Sequence, residues 1–308
     1  MARFSPTEAA FEGFRLTREH PRAVLAWAIA YFVFTLALAI LTVAWVGKDF
    51  AALQALSNNP NPDPVALGQA FEKLSPFLLV VIPLQVVSFA VLNCAIYRSV
   101  LRPEDSGMAY FRLGQDELRM ATLFIILFVL WLAALFVVTI TVSLAAGTLG
   151  VFGGGIGAFV GSLVDVGMFS LAIWVFVRLS MAAPMTFDQH RLVVFGSWDF
   201  TRGSFWPLLG AYVLTVMLGV VIVVLMLVIS GAVIEATFLA TGGSLAKMGH
   251  DVQTDISSVG AFLTLPTILS QAFGSAMVII YFVIVLSPAA IAYQGLAGHS
   301  PKAFEPTI

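Results

Sequence analysis

MATLFIILFVLWLAALFVVTITVSLAA, residues 120–146, runs for 27 positions without a charged side chain. At about 1.5 Å per residue, a helix of this length exceeds the roughly 30 Å of hydrocarbon in a bilayer. Five further segments of mainly apolar residues accompany it, at 24–46, 76–97, 159–183, 207–235 and 262–286. Each is long enough to cross once. The expected fold is therefore all-α, a polytopic membrane protein with six transmembrane helices.

Composition agrees. Mean hydropathy is +0.98, with 60% hydrophobic and 10% charged residues, whereas about 25% charged is usual for a soluble globule. The net charge of −2 says little by itself, because the membrane separates the charges into two unequal sets. Arg3, Arg15, Arg18 and Arg22 precede the first span. Arg98, Arg102, Arg112 and Arg119 follow the second, Arg178, Arg191 and Arg202 the fourth, and Lys302 the sixth. Only Lys48, Lys73 and Lys247 fall on the other side. Twelve cations against three place both termini in the cytoplasm by the positive-inside bias.

The basic residues are interleaved with acids and form no dense patch, so no nucleic-acid partner is expected. Cys94 is the single cysteine and lies in a span, which rules out an internal disulfide and suits a small apolar filler. About 23 polar and amphipathic residues precede the first apolar run, which lacks a following small-residue cleavage site. It reads as an uncleaved start-transfer helix rather than a signal peptide.

Ser5-Pro6-Thr7-Glu8 has the pattern of a capping box, with Ser5 as N-cap and Glu8 reaching back. At 100° per residue the helix that follows places Ala10, Phe11, Gly13, Phe14 and Thr17 on one face, and Glu8, Glu12, Arg15 and Glu19 on the other. It is too short and polar to span and is expected to lie in the interface. Phe14-Arg15-Leu16 recurs as Phe111-Arg112-Leu113. Phe11-x-x-Phe14-x-Leu16-Thr17-Arg18 matches Phe195-x-x-Trp198-x-Phe200-Thr201-Arg202. Each copy precedes a span, which suggests three repeats of an interfacial helix plus a transmembrane hairpin, units 1–100, 101–184 and 185–308 of one membrane domain, 1–308. Phe11, Phe14, Arg18, Phe111, Arg112, Phe195, Trp198 and Arg202 are the expected interfacial, lipid-facing residues. The loop 48–75 carries two short helical patterns, Phe50–Leu56 and Val65–Leu74, separated by a proline- and asparagine-rich run.

Polar residues inside spans are costly unless partnered. Gln85, Asn93, Asp165 and Gln271 are the candidates for an intramembrane polar site. Asp165 has no Lys or Arg at helical spacing on its own helix and reads either as a cation or proton site or as an interfacial residue bonded to a neighbouring helix. Pro83 and Pro266 precede Gln85 and Gln271 and suggest kinks. Gly153-x-x-x-Gly157-x-x-x-Gly161 would let another helix approach closely, with packing inside the monomer expected ahead of a subunit interface. Arg98, Arg119 and Arg178, at cytoplasmic helix ends, read as snorkelling anchors or clasps for lipid headgroups or phosphorylated solutes.

No chemistry stands out. The glycine run lacks the Lys-Ser/Thr of a phosphate loop. His20, His190, His250 and His299 have no metal-ligand spacing, and no histidine lies in a span to activate Ser162. Neither catalytic residue, metal nor cofactor is expected.

Glu8-Ala9-Ala10-Phe11-Glu12-Gly13-Phe14, Arg178-Leu179-Ser180-Met181-Ala182-Ala183-Pro184 and Phe195-Gly196-Ser197-Trp198-x-Phe200-Thr201-Arg202-Gly203-x-Phe205-Trp206 resemble a broad group of bacterial inner-membrane proteins. That group is related to the membrane domain of some glycerophosphoryl diester phosphodiesterases. The resemblance implies a polytopic helical protein of the bacterial cytoplasmic membrane. It carries no catalytic residues, since the soluble phosphodiesterase domain has no counterpart here. The expected function is a non-enzymatic scaffold or membrane organiser that self-associates or binds membrane lipids and other membrane proteins. The alternative is a transporter or channel for a small or amphiphilic solute, with a cavity near Gln85, Asp165 and Gln271.

Overall fold

A computed structural model describes residues 5–59, 61, 63–149, 154–240 and 258–298. Gly153, Lys247, His250, His299 and Lys302 lie outside the described residues. The helices are α1 (Pro6–Glu19), α2 (Pro21–Ser57), α3 (Pro64–Leu101), α4 (Gln115–Leu149), α5 (Gly154–Leu179), α6 (Ala182–Asp188), α7 (Gly196–Phe200), α8 (Phe205–Ala240), α9 (Val259–Phe262) and α10 (Leu265–Ala297). Among the described residues there is no strand, and six helices are long and apolar enough to cross a membrane. The chain is an all-α, multi-pass membrane protein.

The helices overrun the apolar segments. Phe50–Leu56 continues α2 and Val65–Leu74 opens α3, so the short helices expected in that loop are extensions of the spans. Asp63 caps α3 by accepting from the Val65 N–H at 2.9 Å. Pro83 lies inside α3, where it withholds a hydrogen bond from the carbonyl four residues back. Pro266, by contrast, is the second residue of α10. Its missing N–H belongs to the first turn and costs no helical bond, so it starts α10 instead of kinking it. Pro288 is the proline within α10, and the helix continues through it to Ala297.

By internal contacts the chain divides into two compact units, Met1–Ala10 with Phe89–Leu214 and Ser287–Ile308, and Phe11–Ser88 with Thr215–Leu286. The division does not follow the repeat boundaries near 100 and 184. In the second unit Val46, Leu74 and Phe77 form a small core between α2 and α3, with Trp45 edge-on to Phe77 at 5.7 Å. Tyr31 and Phe282 join α2 to α10, as do the Thr35 and Ser275 hydroxyls at 3.2 Å. In the first unit Phe89 meets Phe124 and Phe176 meets Tyr212, and a core of Val177, Met181, Leu208 and Tyr293 links α5, α8 and α10.

The three segments aligned in sequence take three conformations. The first is the 14-residue helix α1. The second is a tight left-handed turn, Gly107–Tyr110, followed by extended backbone at Phe111 (φ −72°, ψ 131°). The third is the five-residue α7. Between Gly107 and Gly114 there are too few residues to offset the cost of nucleating a helix. Within α1 the buried residues are Ala9, Ala10, Glu12, Gly13 and Leu16, whereas Phe11 and Phe14 are exposed. Glu12, expected on the outward face, is turned inward and held by Arg15 at 2.8 Å.

Candidate functional site

The residues gathered most tightly are the polar ones where α3 ends and α4 begins. Arg98 stands in the last turn of α3 and Glu117 in the first turn of α4, and their side chains form a buried ion pair at 2.7 Å. Both groups make further contacts. Arg98 donates its second amino group to the Tyr110 carbonyl and lies over the Phe187 ring. Glu117 uses its other oxygen to accept from the Gly114 N–H at 2.9 Å. That second bond is half of a capping box, with Gly114 as N-cap and Glu117 three residues on. The Tyr110 carbonyl is delivered by a strained turn: Met108, Ala109 and Tyr110 have φ of 48°, 54° and 65°. Such left-handed conformations cost non-glycine residues about 1–2 kcal/mol each.

A second layer surrounds this pair. Arg102 lies over Phe187 from the end of α3 and meets the Asp188 carboxylate at 3.8 Å. It also donates to His190 Nε2 at 3.1 Å, while His190 Nδ1 is 2.8 Å from Asp116. A guanidinium can only donate. Nε2 is therefore the acceptor, and Nδ1 carries the hydrogen given to Asp116. His190 reaches this position because it ends α6 in the left-handed conformation (φ 53°), a common way to stop a helix. Tyr293 of α10 fixes Asp188 from below at 2.7 Å. Arg119 pairs with Asp116 at 2.7 Å, and Arg112 with Asp105 at 3.1 Å.

An open cavity of about 390 Å³ lies among them at the start of α4. Four arginines (98, 102, 112 and 119) and His190 line it, against the carboxylates of Asp116 and Glu117. Each of the four arginines is paired with a carboxylate, Arg98 with Glu117, Arg102 with Asp188, Arg112 with Asp105 and Arg119 with Asp116, so the charges balance and the exposed guanidinium edges are what the cavity offers a ligand. Among the described residues no group of three or more His, Cys, Asp or Glu is arranged to hold a metal.

The residues singled out in the sequence are placed as follows. Asn93 is buried and donates to the Phe89 carbonyl of its own helix at 2.9 Å. Gln85 and Asp165 are exposed on α3 and α5, and Gln271 is half-buried on α10. A carbon added at Gly161 would meet no atom within 4 Å, so among the described residues no helix packs against it there. The expected close packing inside the monomer is not found at this glycine. Phe11, Phe14, Arg18, Arg112, Phe195 and Arg202 are exposed, and Phe111 is half-buried. Trp198 packs edge-on against Trp174 at 4.7 Å, and its carbonyl accepts from Arg178. Ser197, fully buried, accepts from the Met181 N–H and donates to the Arg178 carbonyl. The Phe195–Arg202 motif is thus a clasp that closes the loop after α5.

Arg98 neither snorkels nor faces solvent; it is 3% exposed. The sequence reading missed Asp116, Glu117, Phe187 and His190. One signal for Glu117 was available, its place three residues after Gly114. No protein-family model, curated protein or solved structure matches the chain.

Proposed function

We propose that this is a non-enzymatic, self-associating organiser of a bacterial inner membrane, with both termini in the cytoplasm. The observation that carries the reading is the unpartnered face of α5. Gly157, Gly161 and Asp165 recur every four residues along that helix and share one side of it. Gly161 looks onto open space and Asp165 is exposed. A carboxylate three turns into an apolar helix costs about 2.5–3.5 kcal/mol when it faces lipid. Small residues allow two backbones to approach, and a polar side chain beside them hydrogen-bonds across the contact. A second α5 supplies both. The α5 span is, with α4, among the least buried of the six, which leaves this face open to a partner. Transport through a cavity near Gln85, Asp165 and Gln271 has less support, because Gln85 and Asp165 stand exposed on their helices.

The test is the oligomeric state of the full chain in lipid nanodiscs, counted by single-molecule photobleaching, for the native sequence, Gly161→Leu and Asp165→Leu. The native protein is expected as a dimer or larger and Gly161→Leu as a monomer, with Asp165→Leu weakened. A monomeric native protein, or an assembly indifferent to Gly161→Leu, would refute the reading.

A further inference from the structure

We infer that the cavity at the start of α4 binds the phosphate of a phospholipid headgroup, with the lipid's tails lying along α4. The inference goes beyond self-association and does not depend on it, nor on which way the chain faces.

Charge is the first argument. Of the two carboxylates that line the cavity, Glu117 has both oxygens occupied, one by Arg98 and one by the Gly114 N–H. The helix N-terminus is not itself the attraction, because Asp116 and Glu117 already stand in its first turn. The guanidinium groups supply it. Arg98 is locked, but Arg112 and Arg119 retain 52% and 29% of their side-chain exposure in their pairs with Asp105 and Asp116. Exposed ion pairs contribute little, whereas a guanidinium holds a phosphate through two parallel, charge-assisted bonds. Of the lining arginines, Arg112 is the one whose pair, with Asp105, is open to solvent, so a phosphate entering the cavity can take it over at small cost and meet Arg119 beside it. The volume of about 390 Å³ suits a headgroup and excludes a whole lipid.

Apolar surface is the second argument, and it separates a lipid from a free phosphate. Leu113 lines the same cavity and is 84% exposed. Leu118 is exposed in the first turns of α4, and Ile125, Val129, Leu132 and Phe136 follow at helical spacing, all exposed. A guanidinium-lined pocket with the exposed Leu113 in its wall, at the start of a helix that carries exposed apolar residues, matches a ligand with an anionic head and an apolar tail. Inorganic phosphate would use only the first half of that surface.

Native mass spectrometry of the full chain tests this, with micelles containing equal amounts of phosphatidylglycerol and phosphatidylcholine of the same acyl chains. Preferential retention of phosphatidylglycerol is expected. Arg112→Gln combined with Arg119→Gln should reduce that preference about tenfold, and Leu113→Asp should weaken retention of the lipid. Arg22→Gln, an exposed arginine at the start of α2, should leave it unchanged. Arg112→Gln alone, in an exposed loop, serves if the double variant does not fold, and its thermal transition should match the native protein's. Equal retention of the two lipids overturns the inference, as does a preference that survives loss of both arginines. Displacement of bound phosphatidylglycerol by inorganic phosphate would overturn the lipid assignment and leave a site for a free anion. Subunit number is read from the same spectra, so failure of self-association is a separate result.

Discussion

Arg98 and Glu117 show how a charged pair survives at the end of a membrane helix. Removing two charges from water costs several kcal/mol each, and attraction offsets this only when every remaining donor and acceptor is also used. Here the Tyr110 carbonyl, the Gly114 N–H and the Phe187 ring add to the pair itself. Satisfaction of this kind makes each partner dependent on the other. Arg98→Ala should destabilise the protein by about 3–5 kcal/mol, since it leaves a buried carboxylate unpaired. The double change Arg98→Met with Glu117→Leu removes both charges at similar volume and should cost much less. Thermal unfolding in detergent, followed by tryptophan fluorescence, separates the two. A double variant as unstable as Arg98→Ala would show that shape, not charge pairing, holds this corner. Arg98 and Glu117 are 19 residues apart, on two helices, and nothing at the residue level announces their meeting.

At the scale of elements, α1 is decided by one glycine. A carbon added at Gly13 would lie 2.8 Å from the Val283 carbonyl oxygen and 2.9 Å from the Ile284 nitrogen. Both are backbone atoms of α10, which cannot turn away as a side chain can. Gly13→Val should therefore lift α1 off α10 and cost about 1–3 kcal/mol or more. Trypsin reports it directly, because cleavage at Arg15 and Arg18 should accelerate in the variant. Unchanged cleavage would mean that α1 is held elsewhere. That α1 is a helix was legible in the sequence, though not which face it buries, and so were all six spans, because hydropathy over twenty residues is a local property. Helix ends were less legible. The chain remains helical beyond the apolar run wherever caps such as Asp63 allow it. The aligned copies at Phe111 and Trp198 misled for the same reason in reverse. Shared aromatic and basic residues mark an interface, but chain length between flanking glycines and helices decides whether a helix forms there. The cavity was illegible altogether, since its lining comes from α3, α4 and the loop after α6.

At the scale of the whole molecule, charge is the property from which an orientation is expected. Twelve of fifteen cations lie on one side of the six segments, and the bias acts through short loops close to the spans. Some of those cations serve structure as well, Arg98 in its buried pair and Arg102 and Arg178 through hydrogen bonds to carbonyls of neighbouring segments. Structural use leaves the insertion argument intact, because the bias counts residues as they emerge from the ribosome, before the pairs form. Cys94 is fully buried, so Cys94→Ala gives a cysteine-free background at a cost of about 1 kcal/mol or little more. Single cysteines at Ser5, Asn59 and Arg191 then report each side of the membrane. In intact cells a membrane-impermeant maleimide should label the cysteine at Asn59 and spare those at Ser5 and Arg191, and permeabilisation should expose all three. The reverse pattern would place the arginine-rich cavity outside the cytoplasm. Partial labelling at all three sites would mean that the chain inserts both ways, and that the imbalance of cations is insufficient to orient it.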